Sequence, residues 1–136
     1  MANRVVHFEI PATDIKRAGD FYTKAFGWEM QTQGPEYAGY VVAMTGPQGL
    51  PKEIKDIGIN GGLYQIEKKD VNAYRCVIGV DDIKKTIEDV KNAGGKNLEK
   101  EITDIPGVGL FIKCEDTEGN VFSLLQPYPG EWMPKP

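Results

Sequence analysis

VVHFEIPATDIKRAGDFYTKAFG, residues 5–27, and YRCVIGVDDIKKTIEDVKNAGG, residues 74–95, read as one motif written twice. In the first copy Val6, Phe8 and Ile10 alternate with Val5, His7 and Glu9, so the two sets lie on opposite faces of a strand. Pro11 ends that strand, and Thr13 or Asp14 can cap a helix running to Phe26. Ile15, Ala18, Tyr22 and Ala25 recur at helical spacing and predict its buried stripe, with Gly27 as a left-handed stop. In the second copy Tyr74–Val80 predicts a strand and Asp81 a cap. Ile83, Ile87 and Val90 turn inward, and Gly94-Gly95 ends the helix. A shift of 68 residues, half of the 136, lays Ile10 on Ile78, Asp14-Ile15-Lys16 on Asp82-Ile83-Lys84 and Gly27 on Gly95.

Working outward, Trp28–Gln33, Tyr37–Thr45 and Ile57–Ile66 predict three strands after the first helix. Gly46–Pro51 reads as a loop, and Lys52–Asp56 fits neither a helix nor a strand period. Gly61-Gly62 interrupts the last of these strands and predicts a bulge or a close backbone contact. After the second helix come strands at about Lys96–Asp104, Gly109–Glu115 and Val121–Leu125, with a hairpin turn at Asp116–Asn120. The expectation is one α+β domain over residues 1–136, with repeats at about 1–66 and 70–126 and a Pro-rich tail at 127–136. Each βαβββ unit covers one sheet face with its helix. Two such units build a curved, partly open mixed sheet around a central cleft.

Bulk composition excludes more than it selects. The net charge is −4, which disfavours a nucleic-acid partner, since that needs a clustered basic face. No apolar run is long enough for a bilayer span, and Met1–Arg4 leads into a strand without a secretory h-region. The expected location is therefore cytoplasmic, with no membrane partner. Cys76 and Cys114 stand apart, outside any CxxC or Cys/His cluster, and read as buried free thiols.

His7-Phe8-Glu9-Ile10-Pro11 with Asp14, Phe21-Tyr22 and Phe26-Gly27-Trp28 resembles the vicinal oxygen chelate (glyoxalase and bleomycin-resistance) superfamily. So do Val80-Asp81-Asp82, Ala93-Gly94-Gly95 and Asp116–Phe122 in the second half. The resemblance implies a divalent metal (Ni, Zn, Mn or Fe) held by the first and last strands of each repeat. It also implies lyase, isomerase, epimerase or dioxygenase chemistry, or drug sequestration where the metal has been lost. Only His7 stands at a matching ligand position. Arg75 and Ser123 occupy two others, and Ile59–Leu63 holds no carboxylate. Arg cannot ligate, and a single ligand does not hold a divalent ion. Glu9 and Gln65 are the candidate substitutes.

The expected function is binding of a small organic molecule in the cleft without the usual metal. A metal-dependent glyoxalase-type lyase or isomerase and a non-catalytic dimerising domain are the alternatives. His7 and Glu9 are the acid–base candidates; His7 titrates near neutrality when unperturbed, and Glu9 can orient it or pair with Arg75. Tyr40 is expected as an aromatic wall and Arg75 as a carboxylate or phosphate fork. Gln65 and Ser123 are polar lining groups, and a homodimer is expected.

Overall fold

Residues 3–33, 37, 39–46, 58–70 and 72–129 are described by the computed structural model. The stretch 52–56, most of the 46–51 loop, and Trp132 and Met133 of the tail lie outside the described residues.

The elements run β1 (Arg4–Ala12), α1 (Ile15–Phe26), β2 (Glu29–Thr32), β3 (Val41–Met44) and β4 (Gly61–Gln65). They continue β5 (Arg75–Gly79), α2 (Ile83–Asn92), β6 (Lys96–Asn97), β7 (Thr103–Ile105), β8 (Gly109–Glu115) and β9 (Val121–Pro127). This is βαβββ followed by the same order with its second strand in two pieces. The chain divides into two compact units: His7–Tyr74, and Arg75 onward together with the first six residues.

Both helices start by the same device. Asp14 caps α1 at φ −136, ψ 96 and accepts from the Arg17 N–H; Asp82 caps α2 at φ −137, ψ 97 and accepts from the Lys85 N–H. The cap of α2 is thus Asp82 and not Asp81, because the Asp82 carboxylate, three residues ahead of Lys85, accepts an amide that the first turn leaves without a helical partner. The helix stops differ by one position. Gly27 takes φ 73 directly after α1, whereas α2 ends on Ala93 and Gly94 takes φ 100. Gly94, not Gly95, is therefore the left-handed residue at the stop of α2.

In the first unit the strand order is β2-β3-β4-β1. β1 and β4 are parallel, with Phe8 beside Gly61, Glu9 beside Gly62 and Ile10 beside Leu63. β3 is antiparallel to both its neighbours. Ile10, Ala43 and Leu63 are buried on the α1 side of the sheet, Ile10 and Leu63 each contributing about 2 kcal/mol by removal from water. Gly19 lets the helix come close: a Cβ there would stand 3.4 Å from Met30 Cγ. Ala25 is exposed, so the inward stripe runs through Ile15, Ala18, Gly19 and Tyr22 and leaves the sheet before the last turn.

In the second unit the order is β5-β9-β8-β6, with β7 also on β8. β5 and β9 are parallel, with Val77 beside Ser123; β8 and β9 are antiparallel, with Lys113 beside Ser123. The expected strand at Lys96–Asp104 is two short strands: the Leu98 N–H is still on Lys113 O, but beyond it the ladder breaks and Glu99 accepts the Lys113 main-chain N–H through its side chain. Val80, Ile83, Ile112, Cys114 and Leu124 form the core under α2, flanked by Ile78, Ile87 and Phe122. Cys114 is fully buried, but Cys76 is exposed and departs from the expected buried thiol. Tyr128 is docked, its N–H on Val108 O and its hydroxyl on Asp104 at 2.6 Å.

Candidate functional site

Strand alternation sorts the first unit into a face toward α1 and a face away from it. Phe8, Ile10, Ala43, Gly61, Leu63 and Gln65 belong to the helix side; His7, Glu9, Val42, Gly62 and Tyr64 belong to the other. Gly61 and Gly62 serve one face each. A Cβ on Gly61 would run into the Phe8 ring, and a Cβ on Gly62 into the Tyr40 hydroxyl and ring. Both glycines lie in regular strand pairing, not in a bulge, and each makes room for an aromatic side chain laid against the backbone.

Tyr40, held over Gly62, completes a hydrogen-bonded chain. Its hydroxyl lies 2.7 Å from His7 Nε2, and it donates to the Glu9 carboxylate. With the phenolic proton on Glu9, the hydroxyl accepts from His7, which places the imidazole proton on Nε2 and leaves Nδ1 as the basic nitrogen. Burial lowers the His7 pKa to about 4, so the ring is neutral at physiological pH. Burial, followed by the charge and hydrogen bond of Glu9, pushes the Tyr40 phenol well above its usual value. The arrangement is a neutral imidazole and a protonated phenol anchored by one carboxylate, with the His7 and Tyr40 rings stacked at 6.3 Å and 24°.

The remaining expected site residues fall elsewhere. Gln65 lies on the helix side of β4, and its amide donates to Thr13 O at 2.7 Å and Ile66 O at 2.9 Å. It is not brought together with Glu9. Arg75 opens β5 and Ser123 lies at the middle of β9, both in the second unit. Ser123 is fully buried, and its Oγ has no hydrogen-bond partner among the described residues. Trp28 is only partly buried. It stacks on Tyr22 at 5.0 Å and 7°, beside Phe26 and Phe8, and the Tyr22 hydroxyl meets that of Tyr74 at 2.7 Å. Sequence reading placed these rings separately; their common feature is position at the C-terminal end of α1 and just beyond it.

An open groove of about 460 Å³ runs along the outer side of α1, lined by Asp14, Lys16, Arg17, Asp20, Phe21 and Lys24. Its charges are exposed surface pairs, such as Lys16–Asp20 at 3.1 Å, and it holds none of the candidate residues.

The donor set does not suit the divalent metal that the resemblance implies. His7 Nε2 is engaged by Tyr40, Gln65 lies on the opposite face of its sheet from His7 and Glu9, and Arg75 cannot ligate. Among the described residues no three His, Cys, Asp or Glu side chains come together as a ligand group. No step is therefore derived through a metal.

The comparisons agree on the class of protein. Residues 4–43 match the family model described as bleomycin resistance protein-like, N-terminal. A glyoxylase-like domain-containing protein of Didymella fabae is 38% identical over 118 residues, covering 85% of this chain and 88% of the relative. A probable lactoylglutathione lyase of Vibrio cholerae is 30% identical over 132 residues, 91% of each chain. A methylmalonyl-CoA epimerase solved with methylmalonyl-CoA and ammonium shares the fold, with a TM-score of 0.68 at 17% identity over 96% of this chain and 99% of that one. The chain belongs to the vicinal oxygen chelate superfamily, among its glyoxalase-like members. No helix among the described residues is long and apolar enough to cross a membrane.

Proposed function

We propose that this chain binds a small organic molecule, without a divalent metal, against the face of its first unit that carries His7, Tyr40 and Glu9. One observation carries the reading: the Tyr40 hydroxyl joins His7 Nε2 and the Glu9 carboxylate in a single chain of hydrogen bonds. That chain engages the imidazole nitrogen and the carboxylate with each other, and it presents a flat aromatic ring as a contact surface. A His7 pKa of about 4 makes a weak base, poorly matched to removing a proton from carbon at neutral pH. Binding is therefore favoured over catalysis. The expected homodimer and cytoplasmic location belong to the same reading, and sedimentation of the purified chain as a monomer would remove the first.

A metal-dependent lyase is the second reading, and the Vibrio cholerae relative, a probable lactoylglutathione lyase, supports the lyase part of it. Thermal melts with EDTA, Ni, Mn, Fe(II) and Zn, on wild type and His7→Ala, separate the two. A metal present at a hundred times its dissociation constant adds about 2.7 kcal/mol, a shift of several degrees. No shift with any metal is the expected result. A shift that disappears in His7→Ala would overturn the metal-free reading and make thiol adducts of 2-oxoaldehydes the first substrates to assay.

A further inference from the structure

We propose that Tyr22 and Tyr74 form an oxidative cross-linking site, at which a peroxide-driven one-electron oxidant joins the two phenols carbon to carbon. The site lies on the helix side of the first unit and does not depend on the reading of His7. The Tyr22 and Tyr74 hydroxyls meet at 2.7 Å, across 52 positions of chain. Both residues belong to the first unit. Tyr22 is on α1, and Tyr74 follows Ala73, whose carbonyl accepts from the Tyr64 hydroxyl. The contact is at the surface. Tyr74 is 64% exposed, and Phe21 and Phe26, whose rings touch that of Tyr22, are 58% and 62% exposed. Large rings gathered in this way at a surface mark a place of contact or of chemistry.

Other phenols of the chain are committed elsewhere. Tyr40 is tied to His7 and Glu9, Tyr64 donates to the Ala73 carbonyl, and Tyr128 donates to Asp104. Trp28 adds an electron route, because its indole lies on the Tyr22 ring at 5.0 Å and 7°. Stacked indole and phenol rings pass an oxidising hole between them, and the hole settles on the phenol when the phenolic proton leaves. The 2.7 Å contact gives that proton an acceptor, and the exposed Tyr74 releases it to water. The hydrogen bond to Tyr74, followed by burial, raises the Tyr22 phenol to about 12, so its proton leaves together with the electron and not before it. Each phenol thus gives up one electron and one proton. The two phenoxyl radicals carry spin on the ring carbons beside the oxygen, and they couple there. One C–C bond forms, the two displaced ring hydrogens move to the oxygens, and both phenols are restored. Hydrogen peroxide takes up the two hydrogen atoms removed and leaves as two waters. Tyr22 is held by its stack on Trp28, whereas Tyr74 lies outside any strand or helix, so the Tyr74 ring is the one that turns to bring the carbons together.

The test treats a dilute solution of the full chain with a haem peroxidase and one equivalent of hydrogen peroxide. A monomer lighter by two hydrogen atoms is expected, with the blue emission of dityrosine and a digest in which the Tyr22 and Tyr74 peptides are joined. Tyr22→Phe and Tyr74→Phe keep both rings and are each expected to lose the product, while Tyr128→Phe keeps it. Trp28→Phe is expected to form it more slowly. The cross-linked monomer is expected to melt several degrees above the untreated chain, because the bond closes a long loop in the unfolded state. A chain that gains oxygen without losing two hydrogens would overturn the site. So would a cross-link that persists in Tyr22→Phe or Tyr74→Phe, or one found only between chains. Trp28→Phe reacting at the wild-type rate would overturn the route through the indole.

Discussion

The faces turned away from the helices have the same strand geometry in both units and opposite chemistry. In the first, β1, β4 and β3 bring Glu9, Gly62 and Val42 into register; in the second, β5, β9 and β8 bring Val77, Ser123 and Lys113 into the same relation. His7 and Arg75 stand two residues before Glu9 and Val77. Where the first unit has a carboxylate, the second has valine; where the second has a hydroxyl and a cation, the first has glycine and valine. The glycine is what separates them functionally. It leaves room for Tyr40 to lie on the sheet and tie His7 to Glu9, so the polar groups of the first face are internally satisfied. Ser123 fills the equivalent place with a hydroxyl and leaves it unsatisfied. A duplicated backbone thus offers one closed polar network and one open one.

The largest expected effect comes from filling the glycine. Gly62→Val puts branched carbon where the Tyr40 hydroxyl lies and is expected to lose about 3 kcal/mol in urea unfolding, as overpacking of a tight site does. It also frees the imidazole, so the His7 pKa measured by NMR is expected to rise toward 6.5. A Gly62→Val protein with an unchanged His7 titration would break the comparison.

Next comes pH. The folded His7 pKa of about 4 lies below the ordinary histidine value of 6.5, so the unfolded chain binds the proton more readily between those values. Stability therefore rises with pH through that window and falls on acidification, by about 2 kcal/mol between pH 7 and pH 5. His7 is the single histidine of the chain, so His7→Gln is expected to remove most of that slope and thereby assign it to the first face.

Tyr40→Phe is the smaller perturbation of the same network. It takes away the donor to Glu9 and the partner of His7 Nε2, and is expected to cost about 1–2 kcal/mol at pH 7. No loss would mean that water replaces the hydroxyl without penalty. The smallest effects should be equal ones. Asp14→Ala and Asp82→Ala remove caps of matching geometry and are each expected to cost about 1 kcal/mol. Unequal costs would show that the repeats differ in their helices as well as in their faces.

The alternation of His7 and Glu9 against Phe8 and Ile10 already put the right residues on the face away from α1. Tyr40 was legible as an aromatic near that face. Its hydrogen bonds were not, because they join positions 33 and 31 residues apart through β-pairings that leave no local mark. The adjacent pair Gly61-Gly62 was the available signal: a strand gives up two side chains in succession only where something else occupies their space. Gln65 misled because a polar residue near the end of β4 reads the same on either face, and only the register with Ala12 fixes its side. Asp81 misled as a cap because two adjacent aspartates precede α2 and the choice depends on which one meets the Lys85 amide.

By itself, then, the sequence determined the duplicated βαβββ order, the two helices with their aspartate starts and glycine stops, and the superfamily. The strand and helix order and the helix ends rest on periodicity, capping and turn chemistry, which act over a few residues, and the superfamily rests on the resemblance of its motifs. Tertiary structure alone decided which polar groups are satisfied. His7 is neutral because burial strips its hydration where Tyr40, 33 residues away in the chain, meets it, and the Ser123 hydroxyl meets no partner among the described residues in its buried place between Val77 of β5 and Lys113 of β8. Desolvation and hydrogen bonding depend on neighbours from distant strands, and no local pattern records them.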